Sequence, residues 1–170
     1  MVSTAQHLTD FHPSVLLNHS GFGGWILSPQ KNSSRLARDV SERFEGTRSL
    51  QIKLDGDWTP STPLLSQTVL VEPSKTYRVS FSIKTEDLVT GGPPVFTVND
   101  ALNNQLLGKS ENFPSADSWL TLNFEFTTLA TSEAAVIRLQ RHNCDSSPCA
   151  IFGTLWLDEI SIEPSKHTDQ

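Results

Sequence analysis

The sequence predicts an all-β protein, an antiparallel two-sheet β-sandwich, and three observations predict it. Short runs enriched in Val, Ile, Phe, Thr and Tyr alternate apolar and polar residues with a period of two, as strands buried on one face require. The 10 prolines and 9 glycines fall mainly between those runs, where turns are needed. No segment carries apolar residues at helical spacing. At 170 residues the chain is expected to form one domain, 1–170, with its core over about 14–163 and flexible ends. That length buries a core without help from cysteines or metal.

Val15-Leu16-Leu17 and Trp25-Ile26-Leu27 read as opening strands, split by a turn at Gly21, Gly23 and Gly24. A long polar connection over 28–48 follows. Leu50, Ile52 and Leu54 then alternate with Gln51 and Lys53, and Asp55-Gly56 ends that strand. A loop through Trp58, Pro60 and Pro63 leads to a strand over 66–71, which Pro73 stops. The clearest alternation places Tyr77, Val79, Phe81 and Ile83 on one face and Arg78, Ser80, Ser82 and Lys84 on the other. Val95-Phe96-Thr97-Val98 follows a Gly-Pro turn, and Asn103-Asn104 suits a turn before Leu106-Leu107. Leu120, Leu122, Phe124 and Phe126 mark another half-buried strand, as do Ile137 and Leu139.

The last strand carries one residue out of step. Leu155 and Leu157 share a face, whereas Ile160 and Ile162 share the other, so the strand must bulge near Asp158 or turn that carboxylate inward. A carboxylate placed there needs a cation, a basic side chain or several backbone N–H groups. Cys144 and Cys149, separated by Asp145-Ser146-Ser147-Pro148, are read as a disulfide closing a short loop between neighbouring strands, with two reduced thiols in a turn as the alternative. The disulfide implies an oxidising compartment.

The formal charge of −6 and the lack of any Lys/Arg run argue against nucleic acid as a partner. No apolar stretch approaches the length of a spanning helix, so no membrane insertion is expected. Met1 to His7 lacks the basic and apolar regions of a signal peptide, which predicts a domain taken from a longer exported protein.

The chain resembles the carbohydrate-binding modules of the family 4, 9 and 22 type, which are galactose-binding-like jelly rolls. The features that carry the resemblance are Asn18 to Phe22 with Trp25, Gly46-Thr47-Arg48-Ser49-Leu50, Leu65-Ser66-Gln67 with Val69 and Val71, Pro73 to Phe81, and the terminal Leu155-Trp156-Leu157-Asp158-Glu159-Ile160-Ser161-Ile162. They run in the family's order over nearly the whole chain. The resemblance implies a jelly roll with one concave sheet, no catalysis by the domain itself, attachment to other domains of an extracellular, cell-surface or periplasmic protein, and a structural calcium ion beside the terminal-strand aspartate. Asp158 with carbonyls near Gly46 and Arg48 would begin such a site, since calcium takes six to eight oxygens. In one respect the chain departs from the family: Phe22 is followed by Gly23 rather than Glu. The alternative for Asp158 is to cap the bulge or to pair with a base such as Arg48.

Binding of a poly- or oligosaccharide calls for aromatic faces that pack on pyranose C–H groups and for planar polar groups that satisfy hydroxyls. Trp58, in the polar loop Asp55-Gly56-Asp57-Trp58-Thr59-Pro60, is the first aromatic candidate, and Trp25 the second. Trp156 and Trp119 are read as packing residues. Arg138, Gln140 and His142 share the polar face of one strand, and Arg78 heads a similar row on another. Which of the two sheets is concave stays open. An enzyme using carboxylates such as Asp55, Asp57 or Glu125 is the second hypothesis, although Asp55-Gly56-Asp57 is more simply a turn. A structural or protein-interaction module is the third.

Overall fold

The alternating runs do form strands, and the computed structural model describes residues 6–7, 25–27 and 34–165. In chain order the strands are β1 (Gln6–His7), β2 (Ile26–Leu27), β3 (Ser34–Asp39), β4 (Ser49–Gly56), β5 (Leu65–Leu70), β6 (Thr76–Thr90), β7 (Pro94–Asp100), β8 (Leu106–Lys109), β9 (Leu120–Thr127), β10 (Ala134–Arg141) and β11 (Ile151–Pro164). Among the described residues there is no helix. A six-stranded sheet runs β3-β4-β11-β6-β9, with β1 also paired to β11, and a five-stranded sheet runs β2-β5-β10-β7-β8. The pairings are antiparallel throughout. The sandwich of the sequence reading is therefore the fold, and it is the jelly-roll kind.

Between the sheets, Leu50, Ile52, Val79, Phe81 and Ile83 from one side meet Phe96, Val98, Ile137 and Leu139 from the other. Phe81 and Phe96 stand edge to face with centroids 4.8 Å apart, and Phe113 closes on both at 5.2 and 5.6 Å. Edge-to-face contact suits the ring quadrupoles and adds to the burial of area.

Two sequence expectations change here. The polar connection over 28–48 contains β3, the edge strand of the six-stranded sheet, paired to β4 from Ser34↔Leu54 to Asp39↔Ser49. Leu36 packs against the core, and β3 carries no other large apolar residue to make an alternation; edge strands tolerate polar sequence because one side faces water. Val15-Leu16-Leu17 and the Asn18 to Phe22 motif lie outside the described residues.

The irregularity of β11 is a bulge. Against β6 the register steps from Asp158↔Ser82 to Ser161↔Ser80, which leaves one extra residue in β11, and Glu159 takes φ 47°. Leu155 and Leu157 before the bulge and Ile160 and Ile162 after it all reach the same core. Trp156, between the two leucines, points the other way and belongs to the outer face of the six-stranded sheet.

Candidate functional site

On the outer face of the five-stranded sheet, strand pairing sets four residues in one row: Ser66 of β5, Arg138 of β10, Thr97 of β7 and Lys109 of β8. Gln140 opposes Val95 one step along, and Asn99 lies on the other side. All of these but Ser66 line, together with Ser61, Pro63, Asn104, Leu106, Arg141, His142 and Asn143, a groove of about 640 Å³. Arg138, Gln140 and His142 are thus brought together as their alternation on β10 predicts.

Its walls are held by polar contacts. Arg138 Nη1 donates to Asn104 Oδ1 at 2.8 Å, and Asn99 Nδ2 donates to the carbonyl oxygen of Asn104 at 2.9 Å. Lys109 Nζ and His142 Nε2 lie 3.3 Å apart. The turn that carries Asn104, at φ 60°, is tied by buried Asp100, whose Oδ1 accepts the N–H groups of Leu102 and Asn103 at 3.0 and 3.1 Å. Its Oδ2 accepts the Ser132 hydroxyl at 2.5 Å. The Ser132 bond, helped by the two amides, holds the Asp100 carboxyl below its ordinary pKa in spite of burial.

Thr97 is 3% exposed on the groove floor, and its hydroxyl has no hydrogen-bond partner among the described residues. A buried hydroxyl without a partner carries a desolvation penalty that a bound group can relieve.

Beneath the groove, Arg141 is 1% exposed and pairs with no carboxylate among the described residues; carbonyl oxygens surround it instead. Nε donates to Gly92 O at 3.0 Å, Nη1 to Cys149 O at 2.9 Å and to Trp58 O, and Nη2 to Thr90 Oγ1 at 2.9 Å and Ala150 O at 3.2 Å. Desolvation lowers its pKa from the usual arginine value. This one side chain ties the Trp58 loop, the Gly91-Gly92 turn and the loop closed by the disulfide Cys144–Cys149. Gly92 has no room for a side chain there: a Cβ would stand 2.3 Å from His142 O and 3.1 Å from each cysteine sulfur.

Both aromatic platforms expected from sequence are corrected. Trp58 is 1% exposed, its indole N–H donates to Thr62 O at 2.9 Å, and Arg141 lies 5.9 Å from its ring centre, so it offers no open face. Trp25 is likewise buried, 6.4 Å from Phe96. No Trp, Tyr or Phe lines the groove among the described residues. Arg78 is on the other sheet, paired with Glu125 at 3.1 Å. Thr97, Asn99, Asn104 and Lys109 were not singled out from sequence; the Thr97/Asn99 alternation in β7 was the available signal.

Asp158, the residue expected to begin a metal site, is held by backbone amides. Asp158 is 2% exposed, and its Oδ2 accepts the N–H groups of Phe44 and Glu45 at 2.9 and 3.1 Å while Oδ1 accepts that of Glu159 at 2.9 Å. Amide donors aimed at both oxygens stabilise an anion and oppose a cation at the same place. Gly46 occupies a left-handed turn at φ 66°, and the Arg48 guanidinium donates to Thr47 Oγ1 at 3.4 Å. This donor set does not fit calcium.

A second hollow, of about 600 Å³, crosses the outer face of the six-stranded sheet and holds Asp39, Glu42, Glu86, Asp87 and Asp117 around Trp156. Asp39 is its hub. It accepts Ser41 N and Oγ, Glu42 N, Gln51 Nε2 at 2.9 Å and Trp156 Nε1 at 3.0 Å. The Ser41 hydroxyl first and the indole N–H next hold its carboxyl well below the usual carboxylate range. Lys84 pairs with Glu42 at 2.7 Å and lies 5.6 Å from the Trp156 ring centre.

Residues 18–146 match the model of a family described as carbohydrate binding domain (CBM_4_9), and the chain belongs to that family. Among solved structures it is similar to the CBM22-1 xylan-binding domain from Paenibacillus barcinonensis Xyn10C, at 14% identity and TM-score 0.61 over 99% of this chain and 100% of that one. It is similar to a CBM4 module at 16% identity and TM-score 0.56, covering 87% of this chain and 99% of the other. The CBM22-1-GH10 modules of a Clostridium thermocellum xylanase complexed with xylohexaose share the fold at 14% identity and TM-score 0.51, over 81% of this chain and 25% of that one. No curated protein is matched by the chain.

Proposed function

We propose that the domain is a non-catalytic module that binds a poly- or oligosaccharide in the groove of the five-stranded sheet. The observation that carries this reading is the row Arg138, Thr97 and Lys109, flanked by Gln140, Asn99 and His142 in one open groove. Guanidinium, amide and hydroxyl groups are the chemistry that satisfies a ring of sugar hydroxyls. Membership of a carbohydrate-binding family supports the reading, and so does a similar module with xylan as its named ligand. Without a stacking ring among the lining residues, affinity rests on polar contacts, with Thr97 gaining the hydrogen bond it lacks.

The protein is proposed to be exported and to be one part of a longer chain. The disulfide is consistent with an oxidising compartment, and a similar module is joined to a GH10 module in a xylanase. Calorimetric titration with xylo-, cello-, manno- and galacto-oligosaccharides and their uronate-bearing relatives tests the binding. At least one is expected to bind, and Arg138→Ala with Gln140→Ala is expected to weaken it about tenfold or more while the melting temperature stays within a few degrees. Binding that survives both substitutions would move the site off this face.

A further inference from the structure

The two hollows of this domain differ in the charge of their lining residues. Among the described residues, Lys109 and Arg138 line the groove and no Asp or Glu does, although the chain carries a net charge of −6. Five carboxylates gather instead in the hollow on the opposite sheet. Among the described residues neither Lys109 nor Arg138 forms an ion pair. The nearby Asp100 is turned away from the groove, bonded to Ser132 and the turn amides.

From this we infer that the groove takes an anionic saccharide, one whose pyranose rings carry a carboxylate or a sulfate ester; the inference rests on the saccharide reading above. Arg138 holds its place through Nη1 and Asn104, which leaves its other donors to form the forked pair that a planar or tetrahedral oxyanion accepts. Lys109 stands two strands away, at about 10 Å between backbones, a distance that neighbouring rings of one oligosaccharide bridge. A ring between them meets the Thr97 hydroxyl. A neutral sugar offers both cations only hydroxyl acceptors, whereas an anionic one adds a charged acceptor and its stronger bonds. The acidic hollow on the other face repels the same polymer, so the domain meets it groove first.

The test is calorimetry with matched pairs. Oligogalacturonate is compared with its fully methyl-esterified form, and a sulfated galactan oligosaccharide with its desulfated form, at low and high sodium chloride. The acidic member of at least one pair is expected to bind about tenfold or more tightly, to lose most of that advantage at high salt, and to lose it in Lys109→Gln and Arg138→Gln. The control Arg78→Gln, on the opposite sheet, is expected to leave it intact. Whichever pair discriminates identifies the anion. Equal binding of acidic and neutral members overturns the inference and leaves the saccharide reading standing. If neither these nor neutral xylo-, cello- and manno-oligosaccharides bind the wild type, the saccharide reading itself falls.

Discussion

Arg141 Nε donates to the carbonyl oxygen of Gly92 across 49 residues of sequence, at 3.0 Å. Around that bond the same guanidinium collects carbonyls from Trp58, Cys149 and Ala150, with no carboxylate among the described residues to neutralise it. An ion so placed is tolerated because every N–H finds an oxygen, and removing it orphans several buried acceptors at once. Arg141→Met is therefore expected to destabilise by about 3 kcal/mol or more in urea unfolding. A loss below about 1 kcal/mol would mean that water replaces the guanidinium without penalty.

Trp58→Ala is expected to act through the same region and to destabilise by about 3–5 kcal/mol, as truncation of a buried ring does. Its effect on glycan affinity, read by titration well below the melting point, should be slight. Loss of affinity in a folded Trp58→Ala protein would restore the ring as a contact residue.

Asp39 gives the domain an acid-sensitive element. Its carboxyl is held below the unfolded value of about 3.9, so its contribution to stability is present above that pH and lost as the pH falls towards the folded pKa. The wild type should lose melting temperature steadily below about pH 4. In Asp39→Asn the slope should be shallower, because the titrating group is gone, while the melting temperature at neutral pH drops. Parallel curves for the two proteins would show that Asp39 is not the source.

Asp158→Ala leaves the amides of Phe44, Glu45 and Glu159 without their acceptor and should cost about 1–3 kcal/mol. Chelator and added calcium should leave the wild-type melting curve where it is. A shift that calcium restores would mean that the loop over 40–48 rearranges to present oxygens.

The Cys144–Cys149 bond should appear in mass spectra of the unreduced protein. Replacing both cysteines with serine should destabilise by about 2 kcal/mol, the scale of a short closed loop. Gly92→Ala should be at least as damaging, since its Cβ would collide with the backbone of His142.

What could be read in advance follows the range of the interactions. The β11 bulge was legible because Leu157 and Ile160 cannot share a core face without an extra residue, and the Arg138, Gln140, His142 face because alternation is local. Lys109 joins that face only through the pairing of β8 with β7, which no local pattern states. Trp58 misled because its neighbours in sequence are polar; it is buried within the core cluster and under Arg141. β3 escaped notice because an edge strand needs few apolar residues, and Leu36 alone does not make a period.

The place of β11 has a consequence for how this domain is born. It fills the middle of the six-stranded sheet, between β4 and β6, yet it is made last of all the described strands. Until residues 151–164 have left the ribosome, β4 and β6 each present an open edge to whatever is near, at synthesis rates that leave the gap unfilled for seconds. Exposed edges of that kind recruit stray strands. A translating ribosome therefore carries two half-sheets that only β11 can join, and a chain interrupted before that strand is a substrate for chaperones and proteases rather than a smaller version of the fold.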